Sequence, residues 1–436
     1  MIRLALAFLL IAAVPARAQV PIQEVTSPGG ISAWLVEEHS IPFVALELRF
    51  RGGTSLDLPG KRGATNLMTG LLEEGAADMD SRAFAEAKEE LATSIDFDVY
   101  GDVLTVSAQF LSENMEESVD LVRASLEEPT FEEASVERVR GQVLSYIRSR
   151  VTDPDEIAGD AMAAAAYGDH PYGSFDSGTV ESVTDLTRAD IVTAWENAIA
   201  RDRVYVSAVG DITPEELGTV IDTILSGIHE EGGEYPDEVD YAPTPGVSVT
   251  PFDTPQSVAR FGQPGMEIDD PDFFAAYLVN TIMGGSNFEN RLFDEVREKR
   301  GLTYGIGTWL SDSDYSEVLG GSFSSQNATM AEAIEVVQEE WRKMAEDGVT
   351  AEELAAAKKY LTGAYPLRFD GNANIANILT SMQMDDYPID YPQTRNEKVM
   401  AVTLEEANRV AAELFQPENL RFVVVGQPEG LEPTVN

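Results

Sequence analysis

The sequence predicts an α+β fold of two similar halves, each a mainly antiparallel sheet packed with helices. Three observations predict it. Stretches of alternating apolar and polar residues mix with stretches of helical period, and no regular strand–helix–strand repeat links them. A pattern thirty residues long recurs late in the chain at a constant shift of 216. Between the copies lies a segment rich in glycine, proline and acids.

The first eighteen residues stand apart from the fold. Arg3 precedes an unbroken apolar run over 4–14, and Ala16-Arg17-Ala18 is a small-x-small cleavage pattern, so residues 1–18 read as a secretory signal. The run is too short to span a bilayer, and no later stretch is long and apolar enough. Residues 31–50, ISAWLVEEHSIPFVALELRF, alternate on either side of a polar turn with Pro42, which predicts a hairpin. Residues 103–110 alternate again, while helical period marks 82–91, 115–126 and 136–147. GATNLMTGLLEEGA, at 63–76, is a short helix with an apolar face ending at a glycine.

The repeat comes next. ESVTDLTRADIVTAWENAIARDRVYVSAVG (181–210) lies without a gap on EKVMAVTLEEANRVAAELFQPENLRFVVVG (397–426). Each copy sets a threonine, Thr187 or Thr403, where it caps a helix before an acidic first turn, and each closes a β-rich run on Val-Gly. The division that follows is 19–227 for the N-terminal half, 228–246 for an acidic linker and 247–436 for the C-terminal half.

Composition removes several functions. At 43% hydrophobic residues the 436-residue chain can bury a core in each half. A formal net charge of -46 repels phosphate backbones and excludes nucleic acid as a partner. With no cysteine there is no disulfide, thiolate metal site, catalytic thiol or lipoprotein anchor. Export without disulfides fits a bacterial periplasm, and the expected location is periplasmic or secreted. The three histidines, His39, His170 and His229, have no second histidine within helical reach, and no G-x-S-x-G elbow occurs.

The order of paired strands, short helix and duplicated second half resembles the insulinase/pitrilysin family of zinc peptidases, in its mitochondrial-processing-peptidase-like branch. The resemblance covers essentially the whole mature chain. Active members of that family carry H-x-x-E-H on the helix that here begins near Thr65. Two His at i and i+4 share one zinc on a helical face, and the Glu between them polarises the bound water. The flanking G-A and L-L-x-x-G put Asn66 at the first His, Thr69 at the Glu and Gly70 at the second His; the third-ligand position falls on Tyr146. None of the four is a good zinc ligand, so no metal or other cofactor is expected in this chain.

In the second half, MGGSNFENRLFDEVREKRGLTYGIGTWL (283–310) matches the family's run R-E-x-x-G-L-x-Y, with Arg297 and Tyr304 at its two functional positions. Gly284-Gly285-Ser286, Arg291-Leu292 and Gly301-Leu302 fit around them. By this resemblance the pair grips substrate carbonyls and the oxyanion that forms when a peptide bond is hydrolysed. Neither residue can generate a nucleophile. The resemblance therefore implies the non-zinc subunit of a heterodimeric peptidase, whose zinc-bearing homologous partner closes with it around an unfolded peptide. From a different class, the same residues allow a non-catalytic peptide-binding or scaffold protein of the same fold.

Deleting residues 1–18 is expected to abolish export and leave the fold intact, since the strand-forming sequence begins after Gln19. Cell fractionation checks it; truncated protein in the exported fraction would contradict the signal reading.

Overall fold

The computed structural model describes residues 21–285 and 289–435; the expected signal segment 1–18 and Ser286 lie outside them. The first half opens with β1 (Gln23–Thr26), β2 (Ser32–Glu37) and β3 (Phe43–Arg51). Then come α1 (Ala64–Thr69), the short pair β4 (Gly75–Ala76) and β5 (Met79–Asp80), α2 (Ser81–Glu90), β6 (Ser94–Tyr100) and β7 (Val103–Leu111). Helices α3 (Met115–Glu127), α4 (Glu133–Arg150), α5 (Pro154–Tyr167), α6 (Val180–Asp185) and α7 (Arg188–Ala198) follow, before β8 (Val204–Gly210) and α8 (Pro214–Ile224). The second half comprises β9 (Gly246–Pro251), β10 (Gln256–Pro264), α9 (Phe273–Met283), β11 (Thr303–Ser313) and β12 (Ser316–Gln326). It ends with α10 (Met330–Asp347), α11 (Ala351–Ala364), α12 (Asn372–Met384), α13 (Tyr391–Ala401), α14 (Leu404–Leu414) and β13 (Arg421–Gly426).

The two sheets share one five-strand order, to which the first adds β1 at its edge. The first runs β1-β2-β8-β3-β7-β6, and the second, read from the matching edge, runs β9-β13-β10-β12-β11. Helices α10, α11, α12 and α14 start within about two residues of the 216 shift from α3, α4, α5 and α7. The repeat read over thirty residues therefore extends through a whole helical layer. Thr187 and Thr403 each cap as expected, both in reciprocal capping boxes with the acid three residues on.

The predicted hairpin over 31–50 is not one. Its two strands form, but β8 lies between them, parallel to β2 (Ala33 opposite Val206) and antiparallel to β3 (Leu48 opposite Val206). The connection over 38–42 thus bridges two strand spacings, roughly 9.6 Å. The reason is visible in β2, where Ala33, Trp34, Leu35 and Val36 are all buried. A strand apolar on both faces belongs inside a sheet, and its alternation is no guide to its neighbours. In the second half β13 sits between β9 and β10 in the same way.

Both faces are buried because each half covers the other. In β2, Ala33 and Leu35 join the core under the first half's own helices, while Trp34 and Val36 pack on Ala376, Leu379 and Met382 of α12. In β13, Phe422 and Val424 face their own helices, while Val423 and Val425 meet Ala158, Met162 and Ala166 of α5. Polar contacts fix the docking. Ser207 donates to the Ala376 carbonyl at 2.7 Å, Gln383 donates to the Val206 carbonyl at 3.0 Å, and Arg260 bridges Asp155 at 2.7 Å. The acidic segment 228–246 has no helix or strand before β9 but is tied down. Arg203 donates to the Gly233 carbonyl at 2.9 Å beneath the Tyr235 ring, and Tyr241 is buried beneath α5.

Leu379 is fully buried between α12 and the first-half sheet. Leu379→Ala is expected to cost about 2–5 kcal/mol and to shift one cooperative urea transition for the whole chain. Two separable transitions, with only one of them shifted, would contradict the interlock.

Candidate functional site

Helix α1 is kept and its metal donors are gone. The Asp57 carboxylate, almost wholly buried, accepts from the Gly63 amide at 2.7 Å, the Thr65 amide at 2.8 Å and the Thr65 hydroxyl at 2.7 Å. This satisfies the Thr65 amide, one of the orphan donors of the first turn, while the Ala64 amide donates to the Lys61 carbonyl at 3.0 Å. Burial holds the Asp57 carboxyl above the usual carboxylate range, against the pull of Arg62. Thr69 is buried and donates its hydroxyl to the Thr65 carbonyl at 2.8 Å, within the helix. Gly70 has no donor, and a Cβ there would come 3.1 Å from Val139 of α4. Tyr146, also on α4, is 51% exposed with its ring 5.9 Å from Phe175. Asn66, Thr69, Gly70 and Tyr146 do not make a zinc site: one lacks a side chain, one spends its hydroxyl locally and two are neutral weak donors. Among the described residues no group of three or more His, Asp or Glu side chains is arranged for a metal ion.

The three histidines lie apart. His39 sits in an exposed turn between Asp211 at 2.8 Å and Glu37 at 3.2 Å. His170 accepts the Tyr172 amide on Nδ1 at 3.2 Å and donates from Nε2 to the Asp237 carbonyl at 3.1 Å. His229 packs edge-on to Trp195, ring centroids 5.1 Å apart.

Arg297 and Tyr304 flank one sharp change from helix to strand. Arg297 lies on a π-helical turn, Phe293–Glu298, with its guanidinium 4.6 Å from the centre of the Phe293 ring. Its Nε is 3.7 Å from Glu298, beyond hydrogen-bond reach, while Lys299 and Arg300 occupy Asp294 and Glu295. Gly301 takes a left-handed φ of 64° and turns the chain back, its amide donating to the Arg297 carbonyl at 2.9 Å. The chain then enters β11, where the pairing with β12 slips between Thr303 and Ile306. Tyr304 lies in that bulge on an edge strand and is 84% exposed. Bulges re-aim side chains, and this one pushes a phenol into solvent where a regular strand would alternate.

Gly305, the residue after Tyr304, lines a cleft of about 420 Å³ on the face of the second sheet that α5 covers. Gly305, Gly307, Ser322 and Ser324 form its floor, small enough to leave it open, and Asp155 from the first turn of α5 walls one side. The glycine doublet has a packing role: Gly284 approaches Thr308 so closely that a Cβ would lie 2.7 Å from its hydroxyl. Asp155 carried no sequence signal, because the pairing that brings it here spans 105 residues.

Two family models match the chain: "Insulinase (Peptidase family M16)" over residues 33–179 and "Peptidase M16 inactive domain" over 185–361. Among relatives, the non-peptidase homolog YmxG of Helicobacter pylori is 23% identical over 89% of this chain and 90% of its own length. A Bacillus subtilis protein described as an uncharacterized zinc protease YmxG is 22% identical over 95% of this chain and all of its own. The solved peptidase M16 inactive domain from Pseudomonas fluorescens superposes with a TM-score of 0.87 at 25% identity, covering 95% of this chain and 100% of that one. A protease from Helicobacter pylori gives 0.82 at 15% identity over 93% and 99%.

The purified chain, dialysed against excess zinc and then buffer, is expected to retain far less than one zinc per molecule by atomic emission. One tightly held zinc per chain would contradict the loss of the donor set.

Proposed function

The chain belongs to peptidase family M16, the insulinase family, as a homologue without the zinc donors, and from that premise we propose that it is the non-zinc subunit of a heteromeric peptidase. In this reading it works in the periplasm beside a zinc-bearing homologous subunit and contributes Arg297 and Tyr304 to hydrolysis of an unfolded peptide. The observation that carries the proposal is Tyr304: a phenol 84% exposed on a bulged edge strand whose next residue, Gly305, lines an open cleft. Of the exposed large hydrophobic side chains among the described residues Tyr304 is the most exposed, and its hydroxyl is open to an incoming donor or acceptor.

The chemistry assigned to this chain is limited to binding and charge stabilisation. The Tyr304 hydroxyl donates a hydrogen bond to a carbonyl oxygen that gains negative charge as a peptide bond is attacked. Arg297, one turn away on a helix end, supplies a fixed positive charge with several donors. Zinc would be held by the partner subunit, where it would supply the activation of water that no residue of this chain provides.

Tyr304→Phe removes one hydroxyl and little volume, so assembly should persist while turnover of the mixed enzyme drops roughly a hundredfold. Arg297→Ala should raise KM and lower kcat together, since the charge acts on bound substrate and on the transition state. Steady-state cleavage by the co-purified pair, with assembly checked by gel filtration, reads both. Normal turnover of an assembled Tyr304→Phe complex would leave a peptide-binding or scaffold role as the survivor.

A further inference from the structure

The tips of two equivalent hairpins touch where the halves meet. Asp102 lies between β6 and β7, and Asp314 and Tyr315 lie between β11 and β12. The Asp314 amide donates to Asp102 Oδ2 at 3.2 Å. The Tyr172 hydroxyl donates to the same oxygen and accepts the Tyr315 amide at 3.3 Å. Arg51 bridges Asp314 Oδ1 at 2.9 Å and donates to the Met384 carbonyl. From segment 228–246, the Val239 amide donates to the Tyr315 carbonyl at 2.9 Å. A cleft of about 410 Å³ opens beside the contact.

The seam is short of positive charge. Facing or flanking Asp314 are Arg49 and Arg51 of β3, Asp102 of the opposite tip, Asp385 after α12 and Asp312 of its own strand. The phenols of Tyr172, Tyr205, Tyr235 and Tyr315 complete the surroundings. Arg49 is further engaged with Ser381 at 2.7 Å and Glu47 at 3.5 Å. Asp314 Oδ2 is buried with no hydrogen-bond partner among the described residues. An ionised carboxylate is poorly served in such a place; a protonated one fits it better.

We propose that this seam is a proton-responsive latch, in which the two hairpin tips hold one another more tightly when Asp314 carries a proton and part locally as it ionises. Burial, helped by Asp102 and Asp385 and opposed by Arg51, pushes the Asp314 carboxyl up to about 6 from its ordinary 3.8. Burial raises Asp312 and Asp385 as well. A carboxyl with a raised pKa in the closed seam binds its proton more tightly there than in water. The added stability of the closed seam is full below 3.8 and lost as pH rises through about 6. Between pH 5 and 7 this amounts to roughly tenfold in the ratio of closed to open. His170 acts in the opposite sense, since burial lowers its pKa and protonation would break the Tyr172 amide bond to Nδ1. Its contribution is the same in variants at position 314 and cancels on comparison.

The test is hydrogen exchange of the full chain at pH 5 and 7, corrected for intrinsic rates, read at the amides of Asp314, Tyr315 and Val239. Wild-type protection should be about tenfold higher at pH 5, reduced by whatever His170 contributes. Asp314→Asn keeps an acceptor for Arg51 and should lose the part of that pH dependence that belongs to Asp314, leaving the same-sense contributions of Asp312 and Asp385 and the opposite slope of His170. Asp385→Asn removes one like charge, lowers the Asp314 carboxyl and should shrink the wild-type ratio. The latch is overturned if Asp314→Asn retains the wild-type pH dependence, or if Asp385→Asn leaves the ratio unchanged. Should Asp314→Asn fail to fold, the carbon chemical shift of the wild-type Asp314 carboxyl, followed against pH beside the amide protection, decides the matter: a titration that does not coincide with the loss of protection overturns the latch.

Discussion

Each sheet has one apolar face under its own helices and a second face that is apolar in part, on β2 and β8 in the first sheet and on β10, β12 and β13 in the second. The second face of the first sheet is closed by α12 and that of the second sheet by α5, so each half donates one helix to the other. This exchange is the constraint on which the rest depends. Leaving Trp34, Val36 and Val209, or Val423 and Val425, in water would forfeit on the order of 1.5–3 kcal/mol for each large side chain. It also explains why 228–246 needs no structure of its own: the halves are held by the helices on either side of it, and the segment has only to cross between them. Domain boundaries by composition and units of stability by packing are thus different things in this molecule.

What the sequence revealed was mostly local. The 216 shift, the threonine caps and the helices at 82–91, 115–126 and 136–147 rest on periodicity and capping within one segment, and the structure has them. Strand neighbours rest on contacts between distant segments. The alternation of 31–50 marked two strands correctly but gave no sign that β8, more than 150 residues later, would lie between them. The signal that was available is the four-residue buried run Ala33 to Val36, which calls for cover on both faces. The same limit applies at the site. Arg297 and Tyr304 belong to one short run and can be picked out as a motif from the sequence alone, whereas the Asp155 wall of the adjoining cleft arrives on a helix from the other half.

The loss of the metal donors without loss of α1 has a physical account. A metal site can hold a fold together by its own binding free energy, and a chain that depends on it unravels when the ligands go. Here α1 is anchored independently of Asn66, Thr69 and Gly70, through Asp57 at its first turn and a fully buried Leu67 and Met68 on its inner face. Substituting the donors therefore removes chemistry and leaves the scaffold. The back-bonded hydroxyl of Thr69 satisfies a buried polar group that would otherwise need an outside partner.

The Arg–Tyr run and the helix exchange bear on one another. Tyr304 stands on the second half, but the cleft next to it is walled by Asp155, whose carboxylate is fixed by Arg260 on β10 at 2.7 Å. Arg260 in turn lies 5.9 Å from the Trp309 ring on the same strand as Tyr304. The second half by itself would have the phenol and the bulge but an open sheet face with no wall. A first half kept only as a relic of a metal site would have no reason to send a helix there with its polar first turn at the cleft. The N-terminal half thus forms part of the surface of the C-terminal sheet next to the Arg–Tyr run, and the two halves make that surface together.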